Sequence, residues 1–450
     1  MFDSINPYNL QVIKRRSHWQ APQLGRAVML SSERFLHWRR LELSERIGPL
    51  KQLSKLLLEK KEGLARMASL EMGKPLVQSE GEIEKCAWLC DHYAEHAEAY
   101  LANEPVEIDA AKAWVAYEPM GVILGIMPWN FPYWQALRFA LPTILAGNVV
   151  LLKHAPNVQG CAEALEALML EAGFPESTFT NIPIPVQYVS GLIEHPDVMG
   201  VSLTGSERAG KAVGRAAGEA LKPSLLELGG SNAFIVLADA DIEKSVDLGM
   251  SARLQNNGQS CIAAKRFILE ASIADDFVDC LLEKLDGISI GDPLDRITQL
   301  GPLARVDLAE NLQKQVLASI RKGASKLHGA EVEGAMYPAT VLDKLAPGMP
   351  AFDEETFGPV FGISRVSGAE EAAYLANSTR YGLGVSICTA DVERALGLGK
   401  KLKDGALFIN EMVKSHPALP FGGSGISGYG RELGSQGIRA FCNVKTYYQA

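Results

Sequence analysis

Cysteine is scarce in this chain, with seven scattered among 450 residues, an odd number that argues against a disulfide framework. Cys86 and Cys90 stand four apart in a helical pattern, but no second pair lies at ligand spacing, so a zinc site is not expected. Basic runs and aromatic-basic stripes are missing. With a formal charge of −9, the chain offers nothing to a nucleic-acid backbone. Long hydrophobic runs are missing as well: the longest, Phe139 to Leu152, is broken by Pro142, Gly147 and Asn148 and is too short to span a bilayer. Residues Met1 to Pro7 carry neither a basic nor an apolar segment, so no signal peptide is expected. Repeats and low-complexity segments are absent. The expectation is a reduced, cytoplasmic protein with no membrane or nucleic-acid partner.

What is present is the composition of an ordinary globular protein, 47% hydrophobic and 22% charged, too long for one core and so divided into two or three domains. Ser31 to Glu71 reads as helix, with Leu50, Leu53, Leu56, Leu57 and Leu58 among Lys and Glu, ended by Pro75. A second helix covers Glu80 to Tyr100. Both are expected as an outer layer. Ala113 to Pro119 reads as a strand suited to an edge or to pairing with a second subunit.

Strand and helix then alternate. Gly121–Met127, Val149–Leu152, Val198–Leu203 and Leu225–Leu228 read as strands, separated by helices at Tyr133–Leu145, Cys161–Glu171 and Glu207–Ala220. This spacing predicts a mainly parallel sheet covered on both faces, with a nucleotide site at the strands' carboxyl ends. After Gly229-Gly230 the alternation restarts: strands at Phe234–Leu237, Phe267–Leu269, Val385–Cys388 and Leu407–Asn410, helices at Ile242–Leu254, Asp276–Leu285 and Val392–Leu402. The tail from Phe441 to Tyr448 reads as a last strand, joining the ribbon near Trp114.

Four loops at strand ends carry the chemistry. Pro128-Trp129-Asn130-Phe131-Pro132 holds an amide between two prolines, as a rigid donor or simply as a helix cap. Thr204-Gly205-Ser206 opens a helix, where backbone N–H groups suit a pyrophosphate or Ser206 serves only as a cap. Glu227 ends an apolar strand. Burial there raises a carboxyl pKa toward that of a general base, unless the residue is half of a buried ion pair. Finally, Asn256-Asn257-Gly258-Gln259-Ser260-Cys261 places a thiol after a polar, glycine-containing turn. A lone cysteine is more often a small buried apolar residue.

In this order the loops resemble the aldehyde dehydrogenase superfamily, together with Glu71-Met72-Gly73-Lys74-Pro75, Lys153, Glu355-Thr356-Phe357-Gly358-Pro359, Asn410 and Pro420-Phe421-Gly422-Gly423. The resemblance covers nearly the whole chain. It implies an α/β protein of two Rossmann-like parallel-sheet domains plus a small β oligomerisation ribbon. Residues 1–105 and 120–229 would bind nucleotide, 230–430 would form the catalytic domain, and 106–119 with 436–450 the ribbon of a homodimer or homotetramer. It implies further that Cys261 is the nucleophile toward an aldehyde, that Asn130 and the Cys261 backbone N–H hold the oxyanion, and that Glu227 activates water. NAD or NADP would lie against Met127, Trp129, Lys153, Pro156, Gly205, Ser206, Leu228, Glu355 and Phe357. No metal is implied.

Within the family, Leu151 to Asn157 and Gln255 to Gln259 look most like the bacterial NAD(P)-dependent succinate-semialdehyde dehydrogenases. A carboxylated aldehyde calls for a cation. Arg138, two helical turns beyond Asn130, is the candidate clamp, or else a salt bridge; Gln255, also expected at the substrate, stands where some relatives carry a second arginine, and Ser415 and His416 are further candidates. Pro156 stands where NAD-preferring relatives often have a glutamate. With that carboxylate gone and Lys153 and His154 adjacent as cations or donors, both nucleotides are expected to be usable. The alternatives are another short-chain or carboxylated aldehyde, or acyl transfer to coenzyme A. A cysteine hydrolase would need a histidine partner.

Overall fold

Val122–Met127 and Val149–His154 are almost wholly buried, as strands are when helices cover both faces of a parallel sheet. The computed structural model describes residues 1–450. Its first sheet has six strands, in the order 428–429, 224–227, 198–204, 122–127, 149–154, 179–181. All pairs are parallel except the two-residue outer strand Gly428–Tyr429 on Ser224–Glu227. The order reverses direction at Val122–Met127, so a crevice opens beside that strand's carboxyl end, where the Asn130 and Thr204 loops lie.

The second sheet has seven strands, in the order 325–328, 340–343, 360–366, 264–270, 232–236, 385–388, 407–409. Only its outer strand Ser325–His328 is antiparallel. Asn232–Val236 begins shortly after Glu227 ends a strand of the first sheet, and Cys261 shortly precedes Ala264–Glu270. The carboxyl edge of one sheet therefore meets the amino edge of the other at the predicted chemistry. A third, antiparallel sheet joins Cys442–Gln449, Lys112–Pro119 and Glu104–Pro105, with Tyr447 stacked on Trp114 at 4.7 Å. No helix is long and apolar enough to cross a membrane.

Several local expectations differ. The single helix read from Ser31 to Glu71 is three: Ala21–Trp38, Leu43–Glu59 and Lys61–Met72. Capping boxes at Gln20 and Glu42 start the first two, and the leucine periodicity runs on across the short breaks. Gly73, left-handed at φ 80°, ends the third, and Pro75 caps the next helix, Leu76–Leu101. These helices are not a mere outer layer. Leu50, Leu53, Ile83 and Leu89 belong to the same apolar core as the first sheet. An amino-terminal hairpin, Phe2–Ile5 with Val12–Arg16, and the strands Thr340–Asp343 and Val360–Val366 were not read from the sequence. Gly428–Tyr429, within the stretch assigned to the catalytic unit, pairs with the first sheet.

One buried ion pair ties this scaffold to the site. Glu82 pairs with Lys74, and its Oε1 accepts the backbone N–H groups of Tyr133 and Trp134 at 2.9 Å each. It thereby anchors the start of the helix Trp134–Leu145, and Lys74 Nζ lies 4.1 Å from the centre of the Phe131 ring beside Asn130. Glu82→Ala leaves Lys74 buried without its counter-charge, and we expect a loss of about 3–5 kcal/mol in urea unfolding. A loss below about 1 kcal/mol would place the anchor elsewhere.

Candidate active site

The thiol is held by a turn that L-residues enter reluctantly. Asn256 and Asn257 have φ of 55° and 56°, and Gly258 follows at 74°. Hydrogen bonds compensate for the strain. Asn257 Nδ2 donates to the carbonyls of Gly73 and Pro302 at 2.8 and 2.9 Å, and its Oδ1 accepts from Gly301 N at 2.8 Å. Asn256 N donates to Gln78 Oε1 at 2.6 Å. At Gly258 a Cβ would stand 2.4 Å from the carbonyl carbon of Gly358, so no other residue fits. Beyond the turn, Lys265 Nζ donates to Cys261 O at 2.9 Å and pairs with Glu355 Oε1 at 2.8 Å.

The same turn fixes the amide. Asn130 Nδ2 donates to Gln259 O at 2.9 Å, and Asn130 O accepts from Asn256 Nδ2 at 2.6 Å. Asn130 is therefore not a helix cap. One amide N–H is spent on orientation and the second remains available.

Two cavities meet at Cys261. The larger, about 400 Å³, is walled by Trp129, Gly205, Ser206, Leu228, Glu355 and Phe357 from the expected cofactor set, together with Asn130 and Cys261. Trp129 and Phe357 meet edge to face at 5.7 Å and form a flat-sided apolar slot. Ser206 caps the helix Glu207–Glu219, its hydroxyl accepting from Ala209 N, and the buried Thr204 hydroxyl has no partner. Met127, Lys153 and Pro156 do not line this cavity. Met127 and Lys153 are buried, and the exposed Pro156 opens the turn that follows the strand Val149–His154.

The expectation for His154 is corrected. Its Nε2 donates to Pro132 O at 2.8 Å and its Nδ1 accepts from Ala155 N at 2.9 Å. Burial lowers its pKa to about 4, so the ring is neutral and fully committed.

The smaller cavity, about 260 Å³, is lined by Cys261, Gln255, Ser415, Arg138 and Lys85, among others. His416 is not among them; it packs edge-on against Trp88. Arg138 does not stand free as a clamp. It is ion-paired with Glu432 and both side chains are buried, although its Nη2 keeps an unpartnered donor. Sequence reasoning missed Lys85, Lys265 and Glu432. Lys85 beside Ile83, Cys86 and Ala87, on a buried flank of its helix, was the one available signal.

Glu227 lines neither cavity; its Oε1 lies against Gly422, and neither carboxylate oxygen is hydrogen-bonded. It is not half of an ion pair. Burial first, then the Glu432 charge, pushes its pKa well above the usual carboxylate range. Burial likewise lifts the Cys261 thiol to about 11, with Lys265 and Arg138 opposing. No histidine lines either cavity, which removes the partner a cysteine hydrolase would need.

A thiol set where a nucleotide-sized groove meets a small polar pocket, between two parallel sheets, defines a nicotinamide-nucleotide-dependent oxidoreductase that works through a covalent sulfur intermediate. The chain belongs to the aldehyde dehydrogenase family, whose family model matches residues 1–447. It is 42% identical over 450 residues to a probable NADP+ succinate-semialdehyde dehydrogenase of Synechocystis, covering 99% of each chain. It is 42% identical to the NAD(P)+ succinate semialdehyde dehydrogenase of Escherichia coli K12, covering 99% of this chain and 97% of that one. The crystal structure of succinic semialdehyde dehydrogenase from Streptococcus pyogenes with NADP+ superposes with a TM-score of 0.97 at 36% identity, covering 100% of this chain and 99% of that one.

Only the thiolate is nucleophilic, so in the nucleotide-free protein we expect iodoacetamide labelling of Cys261 to quicken about tenfold per pH unit from pH 7 to 10. A rate flat over that range would mean that the thiol is already ionised. Gly258→Ala should abolish labelling at this position by displacing the turn, as peptide mapping would read.

Proposed function

We propose that the protein oxidises succinate semialdehyde to succinate with NAD or NADP. The observation that carries the reading is the position of Cys261, on the wall of the groove formed by Trp129, Ser206, Glu355 and Phe357 on one side and of a small, cation-lined pocket on the other. The groove fits a nicotinamide dinucleotide: its slot between Trp129 and Phe357 is apolar, its buried Thr204 hydroxyl wants a partner, and a helix amino terminus opens into it. Glu355 Oε1 is held by Lys265 and Gly230 N, leaving Oε2 for a ribose hydroxyl, and Lys153 supplies an ammonium group near the carboxyl end of the strand Val149–His154. With proline at 156, no carboxylate there repels a 2′-phosphate.

Cys261 as thiolate attacks the aldehyde carbon, and the resulting oxyanion is held by the free Asn130 N–H and the Cys261 backbone N–H. A bound dinucleotide would supply the acceptor for the hydride that leaves the former aldehyde carbon, and the acyl group would stay on Cys261 as a thioester. Glu227, with no hydrogen bond restraining its carboxylate, turns toward the thioester and takes a proton from the attacking water. A base in this place favours hydrolysis over transfer to coenzyme A. The pocket's volume, about 260 Å³, suits a short aldehyde. The free side of the edge strand Cys442–Gln449 supports assembly as a homodimer or homotetramer, and seven free cysteines support a reducing, cytoplasmic setting.

A screen of succinate semialdehyde against butanal, with each nucleotide, tests the substrate and cofactor directly. We expect turnover of the carboxylated aldehyde with both nucleotides; undetectable turnover with saturating NADP would refute the cofactor reading. Asn130→Ala should lower kcat about 10²–10³-fold. Glu227→Gln should release about one reduced nucleotide per site and then stall. In the wild type, deacylation should rise with pH through the raised Glu227 pKa, because only the ionised carboxylate accepts a proton. Glu227→Gln should lose that rise.

A further inference from the structure

Four cations line the pocket on the substrate side of Cys261: Lys74, Lys85, Arg138 and Lys414. Three already have a carboxylate. Lys74 pairs with Glu82, Arg138 with Glu432, and Lys414 with Glu411. Lys85 pairs with none. Its ammonium group lies 4.3 Å from the centre of the Trp134 ring and donates one hydrogen bond, to Ser415 Oγ at 2.9 Å. An ammonium carries three N–H donors, and Lys85, on the pocket wall, has one hydrogen-bond acceptor and no charged partner.

From this arrangement we propose that Lys85 is the specificity-determining residue of the pocket and supplies the charge that binds the carboxylate of the aldehyde substrate, with the Ser415 hydroxyl beside it. The inference rests on the proposed substrate and assigns its recognition to a residue other than the arginine the sequence pointed to. Charge counting gives the physical reason. Arg138 with Glu432 is neutral as a unit, so it contributes a donor but no net attraction to an anion. Lys85 is a positive charge with no carboxylate paired to it, so its attraction for an anion is not cancelled.

Two further observations agree. Accepting the Lys85 hydrogen bond leaves the Ser415 O–H free to donate to the same carboxylate. Burial, with Arg138 and Lys414 adding repulsion, lowers the Lys85 pKa to about 8, against the opposing pull of Cys86 and Glu82. A substrate anion beside it would reverse that shift and so bind with added favourable energy. Trp134 forms an apolar side to the same pocket, suited to the methylene groups between aldehyde and carboxylate.

Lys85→Met tests this cleanly, because no buried carboxylate is orphaned and the replacement keeps the packing on Trp134. Arg138→Met, by contrast, would strand Glu432. The readout is the ratio of kcat/KM for succinate semialdehyde to that for butanal, with circular-dichroism melting to confirm the fold. We expect the ratio to fall about 30-fold in Lys85→Met, or about 2 kcal/mol of discrimination. The fall should appear mainly in KM for the carboxylated aldehyde, with Lys85→Arg restoring most of it. A ratio within threefold of wild type would overturn the role of Lys85. A wild type that does not prefer succinate semialdehyde over butanal would instead overturn the proposed substrate, so the two failures are distinguishable.

Discussion

The site depends on a strained turn held in place by its neighbours. Asn256 and Asn257 occupy the left-handed region at a cost of about 1–3 kcal/mol each, which persists only where the surroundings over-determine it. They do so here from three directions: the helix Leu76–Leu101 through Gln78, the segment before it through Gly73, and the loop at Gly301-Pro302 through both ends of the Asn257 amide. The segment leading to Cys261, the carbonyl of Gln259 and the amide of Asn130 are consequently tied together by hydrogen bonds. The first sheet contributes Asn130 and the second contributes Cys261, and the turn is the joint between them.

Charge is distributed around this joint with the same economy. Lys265 is buried, yet it is satisfied by Glu355 and by the carbonyls of Gly230 and Cys261, so it draws the Glu355 carboxylate and the Cys261 backbone together. Arg138 and Glu432 neutralise each other while flanking Glu227. Glu227 alone has no partner of its own, an unfavourable state for a buried carboxylate and the one a general base needs. Its cost falls on folding: since its folded pKa is raised, the stability penalty is absent below the ordinary carboxylate pKa and grows as pH rises above it.

Much of this could be read from the chain, for identifiable reasons. Parallel strands buried on both faces leave continuous apolar runs such as Val149–Leu152, and glycine and proline punctuate the loops at their ends, so the alternation and the four chemical loops stood out. The tail strand facing Trp114 was legible for another reason, its β-branched and aromatic residues Val444, Thr446, Tyr447 and Tyr448. What escaped the reading depends on tertiary burial. Nothing around Glu432 marks it as the partner of Arg138, and the ring of His154 looks available until Pro132 and Ala155 are seen to occupy it. The breaks at residues 39–42 and at Lys60 vanish in a periodicity that resumes on the far side. The outer strands of the second sheet, where Ser325–His328 is half-exposed, carry too weak a pattern to detect.

The central claim is that the substrate becomes covalently attached to Cys261 and to no other group. Acid-quenching the wild-type protein during its first turnover with succinate semialdehyde and NADP, followed by peptide mass mapping, tests it most directly. The account predicts a succinyl mass increment on the peptide containing Cys261. Reduced nucleotide formed with no adduct, or with the adduct on another residue, would contradict it.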